Sequence, residues 1–262
     1  MKKIYLLLPF LAFFSCSTAD EDTSEFDNPI LVTRMVQHGK QYTFSYNGAK
    51  ITEMNNTTDN WKRTYTYTGD LITQYVDKFA DGKTHTTSIE YNSNQKITKK
   101  NTVYSDASFS ENMNYYYTGI NQIKMIRTVI TAASTKTYTR EAVTYSDGSL
   151  KSWTETVSDV QSGGTVNGTG SMNLAYDGGY YPFRNVAGYT KMVENEGING
   201  SARNTVDYNY VITYPAGKEH NVYKNTFEYQ DNSYPKKEIR DVYQGGILPV
   251  ASEITTYEYN HL

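Results

Sequence analysis

The chain has 262 residues, which is enough for one or two domains with a sizeable core. It contains 26 Tyr, and aromatic residues make up 14% of it, so wholesale disorder is excluded. A single Cys rules out an internal disulfide and any multi-cysteine zinc or iron–sulfur cage. The formal net charge of −3 argues against a nucleic-acid partner, which would favour a basic face.

The first 15 residues are predicted to be a secretory signal peptide. Two lysines precede an apolar run over residues 4–14, which is too short to span a bilayer of about 30 Å. The run ends at Ser15 and Cys16, and a small residue just before a Cys at this place resembles a bacterial lipobox. That resemblance implies that the chain is cut before Cys16 and that lipid, including an acyl chain such as palmitate, is attached to it. The alternative is ordinary signal cleavage, for instance after Ala19.

Residues 16–29 are predicted to form a flexible acidic tether. Residues 17–29 hold five acids and no base, and they are too polar to bury a core. An acidic patch straight after the lipidated Cys resembles the surface-export signal of Bacteroidota lipoproteins, carried here by Asp20, Glu21 and Asp22. The resemblance implies an outer-membrane protein that is lipid-anchored and faces outward. The alternative is a solvated linker with no sorting role.

A degenerate Tyr-rich motif recurs along the rest of the chain. Its core is an aromatic residue, any residue, then Tyr, followed by a Gly-containing turn and an Ile or Leu. Alternation with period two places the aromatic residues on one face of a strand, and Gly or Asn in the turn tolerates positive φ. Each copy therefore predicts a β-hairpin. The copies are centred on Tyr46, Tyr67, Tyr91, Tyr117, Tyr145, Tyr176, Tyr214 and Tyr229, with a final half copy at Tyr259.

The predicted fold class is all-β. Hairpins in series give an antiparallel meander of about sixteen to eighteen strands within a single domain over residues 30–262. Because strand twist makes so large a sheet coil or close, we expect one strongly curved or barrel-like sheet. The Gly-rich stretch over residues 161–170 interrupts the motif and is expected to be a long hairpin tip.

The repeat also predicts which side chains share a face. Five equivalent Tyr should lie on the inner face in chain order, and the residue before each of them should point outward. The expected inner residues are Tyr46, Tyr67, Tyr91, Tyr117 and Tyr145, and the expected outer residues are Ser45, Thr66, Glu90, Tyr116 and Thr144.

The motif resembles the YD repeats of Rhs-type proteins and their shorter relatives among uncharacterised Bacteroidota lipoproteins. Two sequence segments resemble the second group in particular. One contains Tyr181 and Pro182, and the other contains Tyr234 and Pro235. Most copies lack the Asp that follows the Tyr in YD repeats, so a toxin-enclosing shell is not implied. The resemblance implies a β-rich outer-surface lipoprotein.

No motif in the sequence predicts catalysis, a cofactor or a metal site. The zinc-protease, nucleophile-elbow and calcium-loop patterns are absent from it, and its four His are scattered. The remaining candidates are aromatic residues that could supply a rigid contact surface, although the same residues could simply complete the core. These candidate binding aromatics are Trp61, Tyr116, Trp153, Tyr180 and Tyr181.

Three functional hypotheses follow. The first is a non-enzymatic binding or scaffold module on the cell surface, for a glycan, a peptide or a partner outer-membrane protein. The second is a carrier of an apolar ligand in the concave face of the sheet, and the third is a hydrolase whose acids meet only in the fold. A dry trough would favour the carrier, two converging carboxylates would favour the enzyme, and a filled face with rim aromatics would favour the surface module.

Overall fold

The computed structural model describes residues 28–192 and 201–261, and these residues form a sixteen-stranded antiparallel sheet. The strands are β1 (Val32–Gln37), β2 (Lys40–Asn47), β3 (Lys50–Asn56), β4 (Trp61–Thr68), β5 (Leu71–Lys78), β6 (Thr84–Tyr91), β7 (Ile97–Tyr104), β8 (Phe109–Gly119), β9 (Gln122–Thr131), β10 (Ser134–Thr144), β11 (Leu150–Gln161), β12 (Gly164–Tyr180), β13 (Arg203–Tyr214), β14 (Gly217–Tyr229), β15 (Pro235–Tyr243) and β16 (Ala251–Tyr259).

The sheet closes into a barrel. Every strand pairs with its neighbours in sequence, and β1 also pairs with β16, with Met35 opposite Tyr257. The predicted meander is therefore confirmed, and closure leaves no unpaired edge strand. We call the end where β1 begins and β16 ends the tether end, and the opposite end the distal end.

Helix is almost absent from the described residues. The one helical element there is a 3-10 turn, Tyr189–Lys191, in the connection between β12 and β13. No helix in this part of the chain is long and apolar enough to cross a membrane.

The two faces of the barrel differ in polarity. Along β8, Glu111, Met113 and Tyr115 are buried, whereas Tyr116 is 49% exposed on the outer face. The inner face gathers the apolar core as the alternation predicts. Its buried members include Val32, Met35, Phe44, Ile51, Ile72, Ile89, Ile97, Met113, Ile123, Met125, Leu150, Trp153, Met172, Leu174 and Tyr208.

Most of the repeated Tyr residues line the interior at the tether end, next to the Ile or Leu of the neighbouring strand. Tyr214 is an exception, because it lies at the distal end, where β13 turns into β14. In four of the repeated Tyr residues the hydroxyl donates to a backbone carbonyl of the preceding repeat, so the aromatic side chain is buried while its polar tip is paired. The hydrogen bonds run from Tyr46 to Val32 O (2.7 Å), from Tyr91 to Ile72 O (2.9 Å), from Tyr176 to Leu150 O (2.7 Å) and from Tyr259 to Pro235 O (2.8 Å).

The predicted faces are confirmed for four repeats and corrected at the fifth. Thr144 was expected to point outward, but it is buried and pairs with Leu150, as Tyr91 pairs with Ile97. The turn explains the shift: Tyr145 N donates to Ser149 O, as Asn92 N donates to Lys96 O. Tyr145 is therefore the first residue of a turn, while its ring still meets Tyr176 at 5.8 Å.

The Gly-rich stretch is a paired strand, so the expected long hairpin tip is wrong. β11 and β12 continue to a short turn at residues 162 and 163. A Cβ at Gly168 would lie 2.7 Å from the Tyr214 ring, and a Cβ at Gly170 would lie 2.8 Å from the Glu155 carboxylate. These glycines are needed because large inward side chains lie over the strand.

Removing one Tyr hydroxyl should lower the stability of the barrel by a small, measurable amount. We expect Tyr46→Phe to lower the free energy of unfolding by about 0.5–1.5 kcal/mol, because Val32 O loses its partner inside the barrel. Tyr117→Phe is the matched control, since the Tyr117 hydroxyl forms no such bond in the described residues. Urea denaturation checks both variants, and equal losses would contradict the role given to the hydroxyl.

Candidate functional site

The outer wall of the barrel is hydrophilic. Apolar residues on it are few, as at Val103, Ile130 and Val160 and at the cross-strand pair of Ile239 and Ile254. A transmembrane barrel has the opposite arrangement, an apolar outer band flanked by aromatic girdles. The wall therefore suits contact with water rather than lipid. Outward residues on β10 to β12 include Thr135, Thr137, Thr139, Glu141, Ser152, Thr154, Thr156, Ser158, Thr165, Asn167, Thr169, Ser171 and Asn173.

Partly or fully buried ion pairs line the interior of the barrel, and we call them the belt. Inside a protein an acid needs a charged or hydrogen-bonding partner, and each pair here joins neighbouring strands. The belt contains Arg63 with Asp77 (2.6 Å), Arg127 with Glu111 (2.7 Å) and Arg140 with Glu155 (2.7 Å). These acids are held by cations rather than directed at one another.

Residues 181–192 close the tether end, and we call them the cap segment. Phe183 is 6% exposed and packs against Phe44, with ring centroids 5.1 Å apart. Ala187 N donates to Ala49 O at 2.9 Å, which fixes the segment to the turn after β2. A Cβ at Gly188, where φ is +72°, would lie 2.5 Å from Asp70 O, so only Gly fits this approach.

Two spaces lie beside the cap segment: a pocket of about 350 Å³, bounded by Tyr117, Thr190, Lys191 and other residues, and a smaller cavity. The smaller cavity, of about 40 Å³, is bounded by Tyr208, Tyr223, Arg240 and other residues, which is room for a few waters. The Tyr257 hydroxyl donates to the Glu238 carboxylate at 2.9 Å. Burial raises the pKa of Tyr257 well above its usual value, and the negative charge of Glu238 raises it further. A ligand pocket is typically about 300–1,000 Å³, so the smaller cavity does not suit an apolar cargo.

A larger cleft opens at the distal end, and we call it the Trp61 cleft. It lies between the turn after β3, residues 57–60, and the turn after β5, residues 79–83, and has a volume of about 580 Å³. This volume is in the range of small-molecule sites. Its lining residues are Thr43, Asn55, Asn56, Thr57, Asn60, Trp61, Lys62, Lys78, Phe79, Ala80 and Gly82.

The turn beside the cleft is held by Asn56. Its side-chain oxygen accepts the backbone N–H groups of Thr58 and Asp59, and its amide donates to the Asp59 carboxylate. Asn60 then adopts φ of +52°, a conformation that Asn tolerates better than most residues. These contacts fix the start of β4, where Trp61 stands.

Trp61 is half-buried and supported by its neighbours. Its ring meets Tyr42 edge-on at 6.4 Å, and the Arg63 guanidinium lies 5.4 Å from it. A supported indole at the edge of a cleft can stack on a flat, partly apolar partner group. Amide side chains in the same lining can donate and accept hydrogen bonds.

The cleft also carries two cations. Lys62 and Lys78 lie directly opposite each other on β4 and β5. Lys62 forms an ion pair with Glu53, and hydrogen bonding to Lys62 lowers the pKa of that carboxyl.

The other candidate aromatics do not join Trp61. Tyr116 stands exposed on the outer wall. Trp153 is 3% exposed and lies inside the barrel, 4.5 Å from Arg140, so its ring has no face for an external partner. Tyr180 packs on Tyr234, and Tyr181 packs on Phe183, so both belong to the region around the cap segment. Cys16, Asp20, Glu21 and Asp22 lie outside the described residues.

Sequence reasoning missed the rest of the cleft. Lys62 and Lys78 are cross-strand partners, and this could have been found by counting residues outward from the turn at residues 69 and 70. That count requires the register shift near Thr66 and Tyr67, which has no clear signal in the sequence. Phe79 precedes the turn after β5, but a single aromatic residue there does not indicate a cleft.

No metal centre was found among residues 28–192 and 201–261: no group of three His, Cys, Asp or Glu side chains is placed to hold an ion there.

The described part of the chain also contains a second exposed feature, the apolar loop after β15. Ile247 is 96% exposed in it, and Leu248 is also exposed.

No family model and no curated protein matches the chain. Among solved structures, it is similar to a porin-like protein from Bacteroides uniformis, with 12% sequence identity and a TM-score of 0.38. The match covers 84% of this chain and 77% of that one. Similarity at this level does not assign a function, and the resemblance to YD repeats stays a prediction.

Proposed function

We propose that this chain is a lipid-tethered, non-enzymatic binding module at the outer surface of the outer membrane, and that it holds a glycan in the Trp61 cleft. The observation that carries the proposal is the cleft itself, about 580 Å³ in volume, with an indole, a phenyl ring and several amides in its lining. Stacking on an aromatic ring with hydrogen bonds from amides is the chemistry that suits a sugar ring.

The rest of the barrel supports this proposal over a carrier or a hydrolase. The interior is filled by apolar side chains, ion pairs and the cap segment, and the cavity beside Tyr208 and Tyr223 holds only a few waters. The acids of the belt contact Arg side chains, which favours a structural role for them. A filled inner face with an aromatic residue at the rim is the arrangement expected of a surface module.

The location of the cleft fits a tethered protein. β1 begins at the tether end, and the cleft lies at the distal end of strands with seven or eight residues, about 25 Å away along them. A 14-residue tether over residues 16–29 could add up to about 50 Å. The cleft would then face away from the membrane that holds the lipid.

The experiment is a glycan-array screen with the full-length protein in detergent micelles, followed by calorimetry on the oligosaccharides that bind. We expect Trp61→Ala to weaken binding about twofold to tenfold, because a stacking ring contributes about 0.5–1.5 kcal/mol. Tyr116→Ala is the control, since it removes an exposed ring from the wall outside the cleft. Unchanged binding by Trp61→Ala in a folded protein would refute the site.

Anchoring is tested separately. We expect Cys16→Ala to move the protein from the membrane fraction to the soluble fraction, because the polar wall leaves the lipid as its membrane contact. Replacing Asp20, Glu21 and Asp22 with Ala should reduce protease-accessible surface display and leave the lipid in place. Cell fractionation and protease shaving measure these two effects, and membrane association that survives Cys16→Ala would defeat the lipoprotein assignment.

A further inference from the structure

The lysine pair in the Trp61 cleft has an unusual charge arrangement. Like charges directly opposite on neighbouring strands destabilise a sheet, yet Lys62 and Lys78 occupy such positions. Glu53 forms an ion pair with Lys62 through one carboxylate oxygen and accepts a hydrogen bond from Asn55 at the other. The cleft lining itself contains two cations and no acid.

Other lysines near the cleft do have acidic partners. Lys40 pairs with Asp59 at 2.7 Å, and Lys83 pairs with Asp106 at 2.8 Å. Lys78 is the exception, because it forms no ion pair with any described residue and is exposed at the end of β5. It follows Asp77, whose carboxylate points inward to Arg63. Of the acids near Lys78 in sequence, Asp77 is therefore committed to Arg63, and Asp81 accepts the backbone N–H of Lys83.

We propose that the Trp61 cleft binds a sugar that carries an anionic group, either the carboxylate of a uronic acid or a sulfate ester. This inference rests on the proposed function and names its ligand class. The ligand would lie across the rim between the two turns, because Trp61 is on the inner face of β4 and Lys78 is on the outer face of β5. Its pyranose ring would stack on Trp61, its hydroxyls would meet the amides of Asn55 and Asn60, and the Lys78 ammonium would pair with the anion. A ligand anion would also relieve the repulsion between Lys62 and Lys78.

The ionic contact makes a prediction about salt. Lys78 is exposed, so its attraction to an anion is screened by mobile ions, with a Debye length of about 10 Å at 0.1 M and about 3 Å at 1 M. Binding of an anionic sugar should therefore weaken as salt is raised, whereas stacking of a neutral sugar should not.

The test is calorimetry on the full-length protein in neutral detergent micelles with three probes of similar length: an oligogalacturonate, a sulfated oligosaccharide and a neutral oligoglucan. We expect one or both anionic probes to bind at least about tenfold more tightly than the neutral probe at low salt. The anionic probe that binds distinguishes a carboxylate from a sulfate. Lys78→Met should remove about tenfold of that affinity and weaken the neutral probe by much less.

Lys124→Met is the matched control. Lys124 lies on the outer wall, where its Nζ is 3.5 Å from Glu141, so its loss should leave all three affinities unchanged. The inference is overturned if Lys78→Met and Lys124→Met have equal effects, or if the neutral probe binds as tightly as the anionic ones. Binding that depends on Trp61 but not on Lys78 refutes the anionic ligand alone, whereas no binding of any oligosaccharide refutes the proposed function as well.

Discussion

Arg140→Met is expected to lower the free energy of unfolding by about 3–5 kcal/mol, because it leaves the Glu155 carboxylate without its cation inside the barrel. The Glu155 side chain is 0% exposed, that of Arg140 is 6% exposed, and the two are joined at 2.7 Å. Tyr210 donates to the same carboxylate but brings no charge. At about 2–4 °C per kcal/mol, the thermal midpoint should fall by roughly 6–20 °C.

The control for this experiment replaces the whole pair. In Arg140→Met with Glu155→Leu, no buried charge is left without a partner, so most of the lost stability should return. Lys124→Met removes an exposed pair from the outer wall and should cost about 0–1 kcal/mol. Urea denaturation of the variants decides the matter. If Arg140→Met costs no more than Lys124→Met, the belt does not stabilise the fold.

Phe183→Ala should have a comparable effect through packing. Truncating a buried Phe costs about 3–5 kcal/mol, and Phe183 contacts Phe44 and stacks on Tyr189 at 5.0 Å. The cap segment should loosen first, because its own regular structure is a single 3-10 turn and its order depends on side-chain anchors. Hydrogen exchange at the Ala187 amide should accelerate more than exchange in the strands.

The comparison for Phe183 is an exposed apolar residue. Ile247→Ala removes a side chain that contacts mostly water, so the free energy of unfolding should change by less than about 0.5 kcal/mol. Equal losses from Phe183→Ala and Ile247→Ala would show that the cap segment does not pack as described. Accelerated exchange across all strands, without a preference for Ala187, would show that the cap is not a separate unit of stability.

The strands and their faces were predictable because the sequence alternates strongly. Tyr46, Tyr67, Tyr91 and Tyr117 stand at one repeat position, and the pleat alone directs them to one side. Closure was only partly predictable. Twist requires a large sheet to coil, but the pairing of β1 with β16 depends on contacts between residues more than 200 positions apart.

The errors have local causes. Thr144 faces inward because one turn is a residue longer than the motif suggests, and a one-residue slip reverses every side chain. The Gly-rich segment of β12 has the composition of a loop, but its glycines make room for Tyr214 and Glu155 from other strands. Such tertiary causes leave no mark in the neighbouring sequence.

The candidate site was predictable only at Trp61. An isolated Trp outside the Tyr repeat was a reasonable candidate, but Trp153 had the same appearance and lies in the core. What separates them is position along the barrel, since Trp61 begins its strand at the rim and Trp153 lies within the length of β11. Lys78 joins the cleft through hairpin register, which sequence reasoning did not resolve.

The most direct test of this account is the accessibility of two adjacent residues on β11, Thr156 and Val157. Thr156 is exposed on the outer wall, and Val157 is 2% exposed on the inner face. Each is changed to Cys in the lipidated protein, where Cys16 is predicted to be acylated, and isolated outer membranes are treated with a water-soluble maleimide. A water-facing barrel with a filled interior predicts rapid labelling of Thr156→Cys and protection of Val157→Cys. Protection of Thr156→Cys with labelling of Val157→Cys would indicate a lipid-facing wall around an aqueous channel and would contradict the account.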